Sequence, residues 1–145
     1  MNNKNLDQLL QPICKIAVQA GSIINKYYKI KKDIFYKEDK SPLTRADLES
    51  NKYIIQSLVE LDSTIPVLTE ESLVEWSIRK YWSQYWLVDP LDGTKEFINQ
   101  NNEFTVNIAL IKNHNPVLGV IYAPALSTLY YAYKNNGSHK LFIEK

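Results

Sequence analysis

The run Trp86–Thr94, WLVDPLDGT, is an apolar segment that ends in two aspartates and a glycine. Pro90 fixes its own φ and favours extended backbone at Asp89, and Gly93 permits a tight bend. The sequence therefore predicts a strand that ends before a stiff turn, with Asp89 and Asp92 outside regular secondary structure. Two carboxylates followed by open backbone N–H groups suit divalent cations and phosphate. The alternative is an ordinary surface turn, because Asp-Gly is common in hairpins.

Composition excludes several classes of protein. The chain has 145 residues, the length of one domain, and its 45% hydrophobic and 23% charged content is typical of a globular protein. The net charge of +1 gives no basic surface for nucleic acid or membrane. The N-terminal segment 1–5 is polar, which argues against a signal peptide. Cys14 is the single cysteine, so no internal disulfide can form. We expect a cytoplasmic protein in which Cys14 is a small buried hydrophobe.

The first half of the chain has helical periodicity. Apolar residues spaced three and four apart predict an amphipathic helix over 6–28. Residues 29–45 predict a charged, mobile loop with a short strand at 34–36. A second helix is expected to begin near Thr44, where Asp47 completes a capping pair. A strand at 65–69 and a short helix within 72–83 should follow.

The second half is rich in strands. The pattern predicts strand 85–88, one or two helical turns at 95–98, and strands 104–111, 117–122, 129–133 and 140–143. Residues 117–122 are apolar at nearly every position, which predicts a strand covered on both faces. The fold class is therefore α+β, with two N-terminal helices packed on a mostly antiparallel sheet.

Five acids lie at the predicted ends of these elements: Asp47, Glu70, Glu71, Asp89 and Asp92. Each has an ordinary structural explanation, since Asp47 suits the first turn of a helix and adjacent glutamates at a strand end are usually solvated. If several converge, their repulsion favours bound cations. Asp89 would then bridge two metal ions, with Glu70 on one and Asp92 on the other, as in two-metal phosphoryl hydrolysis. Thr94 would orient the water and Asp47 would accept its proton.

The motif at 89–94, preceded by Glu70-Glu71 and Asp47, resembles the magnesium-dependent, lithium-sensitive phosphomonoesterases related to inositol monophosphatase. Segments 41–47, 85–98, 103–111 and 119–124 resemble the bacterial 3′(2′),5′-bisphosphate nucleotidases of that superfamily. Lys95-Glu96 is the discriminating pair, because inositol monophosphatases usually carry Thr-Asn there. The resemblance covers essentially the whole chain and implies the N-terminal half of the inositol monophosphatase-like sugar-phosphatase fold.

The resemblance also implies roles for individual residues. Glu70, Asp89 and the Leu91 carbonyl would bind one magnesium ion, and Asp89 and Asp92 a second. The residues implied to contact the substrate are Glu70, Leu91, Asp92, Gly93 and Thr94. Asp47 and Thr94 would act on the water. The implied reaction is hydrolysis of adenosine 3′,5′-bisphosphate to AMP and phosphate in sulfate assimilation, with a small nucleotide as partner and neither nucleic acid nor protein required.

The family pattern continues beyond the equivalent of Lys145 into a second, α/β subdomain with a Trp-Asp-x-x-Ala-Gly motif, whose aspartate completes the second metal site. No tryptophan here precedes an aspartate: Trp76, Trp82 and Trp86 precede Ser77, Ser83 and Leu87. We therefore expect residues 1–145 to form a single N-terminal subdomain with little activity alone. The alternatives are a non-catalytic, weakly magnesium-binding remnant and an inositol monophosphatase. Some relatives lie peripherally at the inner membrane, which the charge pattern here does not predict.

Overall fold

A computed structural model describes residues 6–30 and 33–144. The predicted polar segment 1–5 and residues 31–32 of the predicted loop lie outside these ranges. The helices are α1 (Leu6–Tyr28), α2 (Arg45–Leu61), α3 (Trp76–Arg79) and α4 (Thr94–Asn99). The strands are β1 (Ile34–Tyr36), β2 (Pro42–Thr44), β3 (Val67–Thr69), β4 (Gln84–Asp92), β5 (Thr105–Lys112), β6 (Asn115–Ala123), β7 (Thr128–Tyr133) and β8 (Ser138–Phe142).

Helix α1 confirms the predicted helix 6–28. Its buried stripe has the three- and four-residue spacing of one helix face and includes Leu9, Ile13, Ala20 and Ile24. Cys14 flanks this stripe and is partly buried, and burial raises the pKa of its thiol to about 11. A thiol with that pKa is a poor nucleophile, which agrees with a packing role. No helix in the described ranges combines the length and apolarity needed to cross a bilayer.

The main sheet has six strands in the order β3-β4-β5-β6-β7-β8. Only the β3–β4 pair is parallel, and the other four pairs are antiparallel. Helices α1 and α2 pack on one face of this sheet, α1 mainly over β5 and β6 and α2 over β4. Alternate residues of the strands form the core beneath them, including Trp86, Ile108, Val120 and Leu129. The α+β class with a mostly antiparallel sheet is confirmed.

The opposite face of the sheet carries exposed apolar side chains. Successive strand residues point to opposite faces, so Ile121 lies on the other side from its buried neighbours Val120 and Tyr122. Ile121 is 46% exposed, and Leu87 and Tyr130 are exposed on the same face. The prediction that β6 is covered on both faces is therefore wrong. Both long helices pack on the face that buries Val120, and apolar content alone did not reveal this.

Residues 33–44 form a β-hairpin where the sequence predicted a loop with one short strand. Strand β1 is confirmed, but residues 42–44 form a second strand that pairs Ile34 with Thr44 and Tyr36 with Pro42. The prediction treated Ser41-Pro42 as a breaker of regular structure. Proline is nevertheless tolerated as the first residue of a strand, because its missing N–H need not join the ladder there.

The close packing of α1 on β6 can be tested by substitution of Gly21. A Cβ at this position would lie 2.5 Å from Cδ1 of Tyr122 and 2.9 Å from Cγ of Pro124. We expect Gly21→Ala to lower the free energy of unfolding by about 1–3 kcal/mol, because overpacking a buried ring outweighs the gain of about 1 kcal/mol in helix propensity. Urea unfolding measures this change.

Gly119→Ala is the matched control, because a Cβ there has no atom within 4 Å among the described residues. We expect that variant to be as stable as the parent or slightly more stable, since it only restricts the unfolded chain. A Gly21→Ala protein as stable as the parent would contradict the close approach of α1 to Tyr122.

Candidate metal and phosphate site

Both aspartates of the 89–94 motif lie within strand β4, which corrects the prediction of a turn outside regular structure. Asp89 pairs with Asn107 of β5 and Asp92 pairs with Thr105, so two residues of β4 oppose one residue of β5 between them. This irregularity is a β-bulge, a place where a strand can accommodate the missing N–H of Pro90. The strand thus continues past the proline, and the bulge redirects the side chains on either side of it.

The bulge is anchored to helix α2. The buried hydroxyl of Ser50 donates a hydrogen bond of 2.7 Å to the Pro90 carbonyl. Leu91 is buried, and its carbonyl lies 3.4 Å from the Thr94 hydroxyl. The carbonyl that the family resemblance assigns to a metal ion therefore faces the site. The backbone between the two aspartates is fixed by α2 rather than being a free surface turn.

Gly93 allows the chain to leave β4 and begin α4. Its φ of 85° lies in the left-handed region, and a Cβ there would lie 2.7 Å from the Glu103 carbonyl oxygen. Both observations require glycine at this position. The Gly93 carbonyl accepts the N–H of Phe97 at 2.9 Å, so the first turn of α4 closes directly after the bulge.

An aromatic cluster holds α4 against α1. The ring of Tyr28 lies 5.6 Å from that of Phe97 and 4.7 Å from that of Phe104, measured between centroids. The Tyr28 hydroxyl donates to Oδ1 of Asn102 at 2.6 Å and accepts the Asn102 N–H at 2.8 Å. These contacts with Tyr28 hold both α4, through Phe97, and the segment after it, through Asn102 and Phe104, against α1.

Asp47 caps helix α2, as predicted, and also contacts Thr94, the residue with which the sequence predicts a shared role. Its Oδ2 accepts the Thr44 N–H at 2.8 Å and the Thr44 hydroxyl at 2.5 Å, which caps α2. Its Oδ1 accepts the Thr94 hydroxyl at 2.9 Å. Burial raises the pKa of Asp47, although the hydrogen bonds from Thr44 and Thr94 oppose the shift. A hydroxyl that donates to Asp47 keeps lone pairs that can accept a proton from water.

Asp89 is the most electrostatically perturbed acid at the site. Its Oδ1 is buried and has no hydrogen-bond partner in the described part of the chain. Burial raises the pKa of its carboxyl to about 7, and the charges of Glu70 and Asp92 add to this shift. A buried, unpartnered carboxylate oxygen beside two like charges is an environment that a bound cation would relieve. Carboxylate and carbonyl oxygens are also the ligands that magnesium prefers.

The predicted ligands are not assembled as a set. Across residues 6–30 and 33–144, no group of three or more His, Cys, Asp or Glu side chains is arranged to hold a metal ion. Two of them have other partners. Glu70 Oε1 lies 3.4 Å from Lys37 Nζ, and Asp92 Oδ2 accepts a hydrogen bond of 3.1 Å from Asn107. Glu70 and Asp92 are therefore near enough to Asp89 to raise its pKa, but each is also held by another side chain.

Three residues near the site were missed or misjudged from the sequence. Lys37 was predicted to be one of several charged residues in a mobile loop. No local sequence pattern indicates that the chain turns back here as a hairpin. Glu71 was expected to be solvated, but its side chain is only 7% exposed and pairs with Lys37. Asn107 had a signal: it is a polar residue inside an otherwise apolar strand, directly opposite Asp89 in the ladder.

Helices over one face of a mixed sheet, with acids gathered around a bulged strand, form an arrangement suited to divalent cations and phosphate. The family model for the Inositol monophosphatase family matches residues 5–141, and the chain belongs to that family. This finding confirms the family expected from the 89–94 motif and the acids that precede it.

Two individual relatives that share most of this chain's length are a nucleotidase named CysQ and a crystal structure of CysQ. The chain is 51% identical over 126 residues to the 3′(2′),5′-bisphosphate nucleotidase CysQ of Salmonella typhimurium, which covers 86% of this chain and 51% of that protein. The crystal structure of CysQ from Bacteroides thetaiotaomicron has a TM-score of 0.77 and 42% identity over 91% of this chain and 49% of its own. The chain spans about half the length of the curated relatives it matches.

A further solved structure shares the fold alone. It is an inositol monophosphatase/NADP phosphatase complexed with Mg²⁺ and phosphate, with a TM-score of 0.83 and 22% identity over 94% of this chain and 52% of that one. About half of each relative's length is therefore matched in both the sequence and the structure comparisons.

The pKa of Asp89 predicts a pH-dependent stability. Folding raises the pKa of Asp89 from its usual value of about 4 to about 7. Between these two pH values, the folded chain therefore keeps a proton that the unfolded chain has lost. The stabilisation from protonated Asp89 is therefore fully present below the pKa of the unfolded chain, and it is lost as the pH rises through the pKa of the folded chain. In metal-free buffer, Asp89→Asn should remove this loss, which is about 1–2 kcal/mol for a half-buried group.

Urea unfolding of the parent and Asp89→Asn at pH 5 and pH 8, in the presence of a chelator, measures the difference. Glu103→Gln, at an exposed position before β5, is the control and should keep the pH dependence of the parent. An Asp89→Asn protein that loses as much stability between the two pH values as the parent would contradict the raised pKa.

Proposed function

We propose that this chain forms the metal- and phosphate-binding part of a Mg²⁺-dependent phosphomonoesterase that hydrolyses adenosine 3′,5′-bisphosphate to AMP and phosphate. The observation that carries the proposal is the Thr94 hydroxyl bonded to buried Asp47, and it is joined by a buried oxygen of Asp89 that has no hydrogen-bond partner among the described residues. The names of the relatives support the substrate, because 3′(2′),5′-bisphosphate nucleotidases share up to 51% identity with this chain. Sulfate assimilation remains the proposed setting of this reaction.

The acidic residues and one backbone carbonyl of the site are proposed to hold metal ions. Glu70, Asp89 and the Leu91 carbonyl would hold one ion, and Asp89 and Asp92 would hold a second. When bound, Mg²⁺ would supply positive charge to the phosphate oxygens and acidify a water. The solved relative with Mg²⁺ and phosphate supports this choice of cation.

The chain's own groups position the reactants. The Thr94 hydroxyl would orient the attacking water, and Asp47 would accept the proton passed through that hydroxyl. The N–H groups of Gly93 and Thr94 would donate to the phosphate, with Leu91, Asp92 and Glu70 completing its surroundings. Because the left-handed Gly93 places these N–H groups beside the bulge, the phosphate would lie within reach of both aspartates.

Residues 1–145 are proposed to form one subdomain, with a further carboxylate-bearing subdomain needed for full turnover. A non-catalytic, cation-binding role is the second candidate. The observation that favours it is that the metal ligands of the described residues are not assembled in advance.

A chimera tests the catalytic proposal. Residues 6–141 of this chain, joined to the remaining half of the Salmonella CysQ protein, should release phosphate from adenosine 3′,5′-bisphosphate when Mg²⁺ is present. Thr94→Val should lower kcat by about 10²–10⁴-fold, because the water then loses its route to Asp47. Phosphate release measures the rate, and circular dichroism checks that each variant is folded.

Thr64→Val is the matched control. Thr64 also donates its hydroxyl to an aspartate, Asp62, at 2.6 Å, but in an exposed turn after α2. We expect that variant to keep the parental kcat. A folded chimera that binds Mg²⁺ and releases no phosphate would reject the catalytic proposal in favour of the cation-binding role.

A further inference from the structure

Lys37 reaches the acids of the site from a rigid turn. It follows β1 directly, its N–H donates to the Ser41 carbonyl at 2.9 Å, and its carbonyl accepts the Lys40 N–H at 2.9 Å. Asp39 accepts both the N–H and the hydroxyl of Ser41, which closes the same turn. Strand β2 then ends at Thr44, the capping partner of Asp47. The backbone of Lys37 is thus held by the element that also caps α2.

The Lys37 ammonium lies between two adjacent glutamates. Its Nζ is 2.7 Å from Glu71 Oε1 and 3.4 Å from Glu70 Oε1. The Lys37 side chain is 24% exposed, and Glu71 is more deeply buried than the 55% exposed Glu70. Burial alone would lower the pKa of Lys37, but the hydrogen bonds and charges of Glu71 and Glu70 overcome it and raise that pKa. Lys37 is therefore a charged ammonium held mainly by Glu71.

Loss of the Lys37–Glu71 contact would destabilise the chain more than loss of the Lys37–Glu70 contact. Glu71 is buried, and its carboxylate depends on Lys37 for charge compensation. Glu70 is exposed and loosely paired, so it can exchange Lys37 for another cation with little loss. Its backbone N–H donates to the Val88 carbonyl at 3.2 Å, which places Glu70 beside the strand that carries Asp89.

We propose that Lys37 is a built-in counter-cation that competes with a divalent cation for Glu70 and releases Glu70, while keeping Glu71, when that cation binds. This inference rests on the proposed metal site. In the metal-free chain Lys37 offsets part of the repulsion among the acids, and in the loaded chain the divalent cation takes over that charge at Glu70. Lys37 thereby sets the concentration of divalent cation at which the site fills.

The test is Mg²⁺ binding to the full 145-residue chain, measured by isothermal titration calorimetry and by the rise of Tm with Mg²⁺ alone. Lys37→Met should lower the Tm in chelator, because Glu71 loses its partner. The same variant should bind Mg²⁺ roughly tenfold more tightly, equivalent to about 1.4 kcal/mol, and show a larger rise of Tm. Lys37→Gln, which keeps a hydrogen-bond donor, repeats the test should the methionine variant fail to fold.

Lys40→Met is the matched control. Lys40 lies on the same hairpin and carries the same charge, but it is exposed and has no ion pair among the residues described. We expect it to bind Mg²⁺ as the parent does, so a general loss of positive charge would show in both variants and overturn the inference.

The outcomes separate this inference from the proposed function. If the parent binds Mg²⁺, Asp89→Asn does not, and Lys37→Met binds with parental or weaker affinity, then Lys37 is only a structural ion pair. That result overturns the inference and leaves the metal site intact. If the parent and every variant fail to bind Mg²⁺, both the inference and the metal site are overturned.

Discussion

The buried carboxylate of Asp47 is the interaction on which the site depends. One of its oxygens caps α2 through Thr44 and the other accepts the Thr94 hydroxyl, so a single side chain joins the β1–β2 hairpin, α2 and α4. Leaving any of these bonds unmade in a buried place would cost about 1–3 kcal/mol. The stability of the helix cap and the placement of the Thr94 hydroxyl therefore cannot be separated, because the same buried carboxylate holds both.

The second constraint is a group of negatively charged side chains that the backbone geometry keeps close together. The bulge at Pro90, fixed by Ser50, keeps Asp89 close to Glu70 and Asp92 although their repulsion raises the pKa of Asp89. A chain selected only for stability would pair or remove such a group. Here the repulsion is offset in part by an ammonium from the hairpin and an amide from β5. These partners act through their side chains, whereas the carboxylates of β4 are positioned by a backbone that the bond from Ser50 fixes.

Local patterns predicted most of the fold. The periodicity of residues 6–28 and the capping pair at Thr44 specified both long helices, because these signals depend only on neighbouring residues. The alternation of β5 and β7 was equally local. What failed depended on pairing and packing that local patterns do not show: the continuation of β4 through its proline, the second strand of the hairpin, and the open face at Ile121. For the site, the motif and the acids before it predicted the family, and the contact between Thr94 and Asp47 was anticipated. The contacts of Lys37 and Asn107 were not, because tertiary pairing determines them.

The open face of the sheet and the unassembled ligands have a common physical basis. Helices α1 and α2 lie over one face only, so the described residues support Asp89 from the buried side, through the core beneath β4 and the bond from Ser50. Glu70 and Asp92 are exposed, and among the described residues Glu70 pairs with Lys37 and Asp92 accepts a hydrogen bond from Asn107. The position of Asp89 is therefore fixed by the core, whereas Glu70 and Asp92 are held by exposed side-chain contacts. This division explains how a chain can carry the family motif intact although its carboxylates are not arranged as a metal site among the described residues.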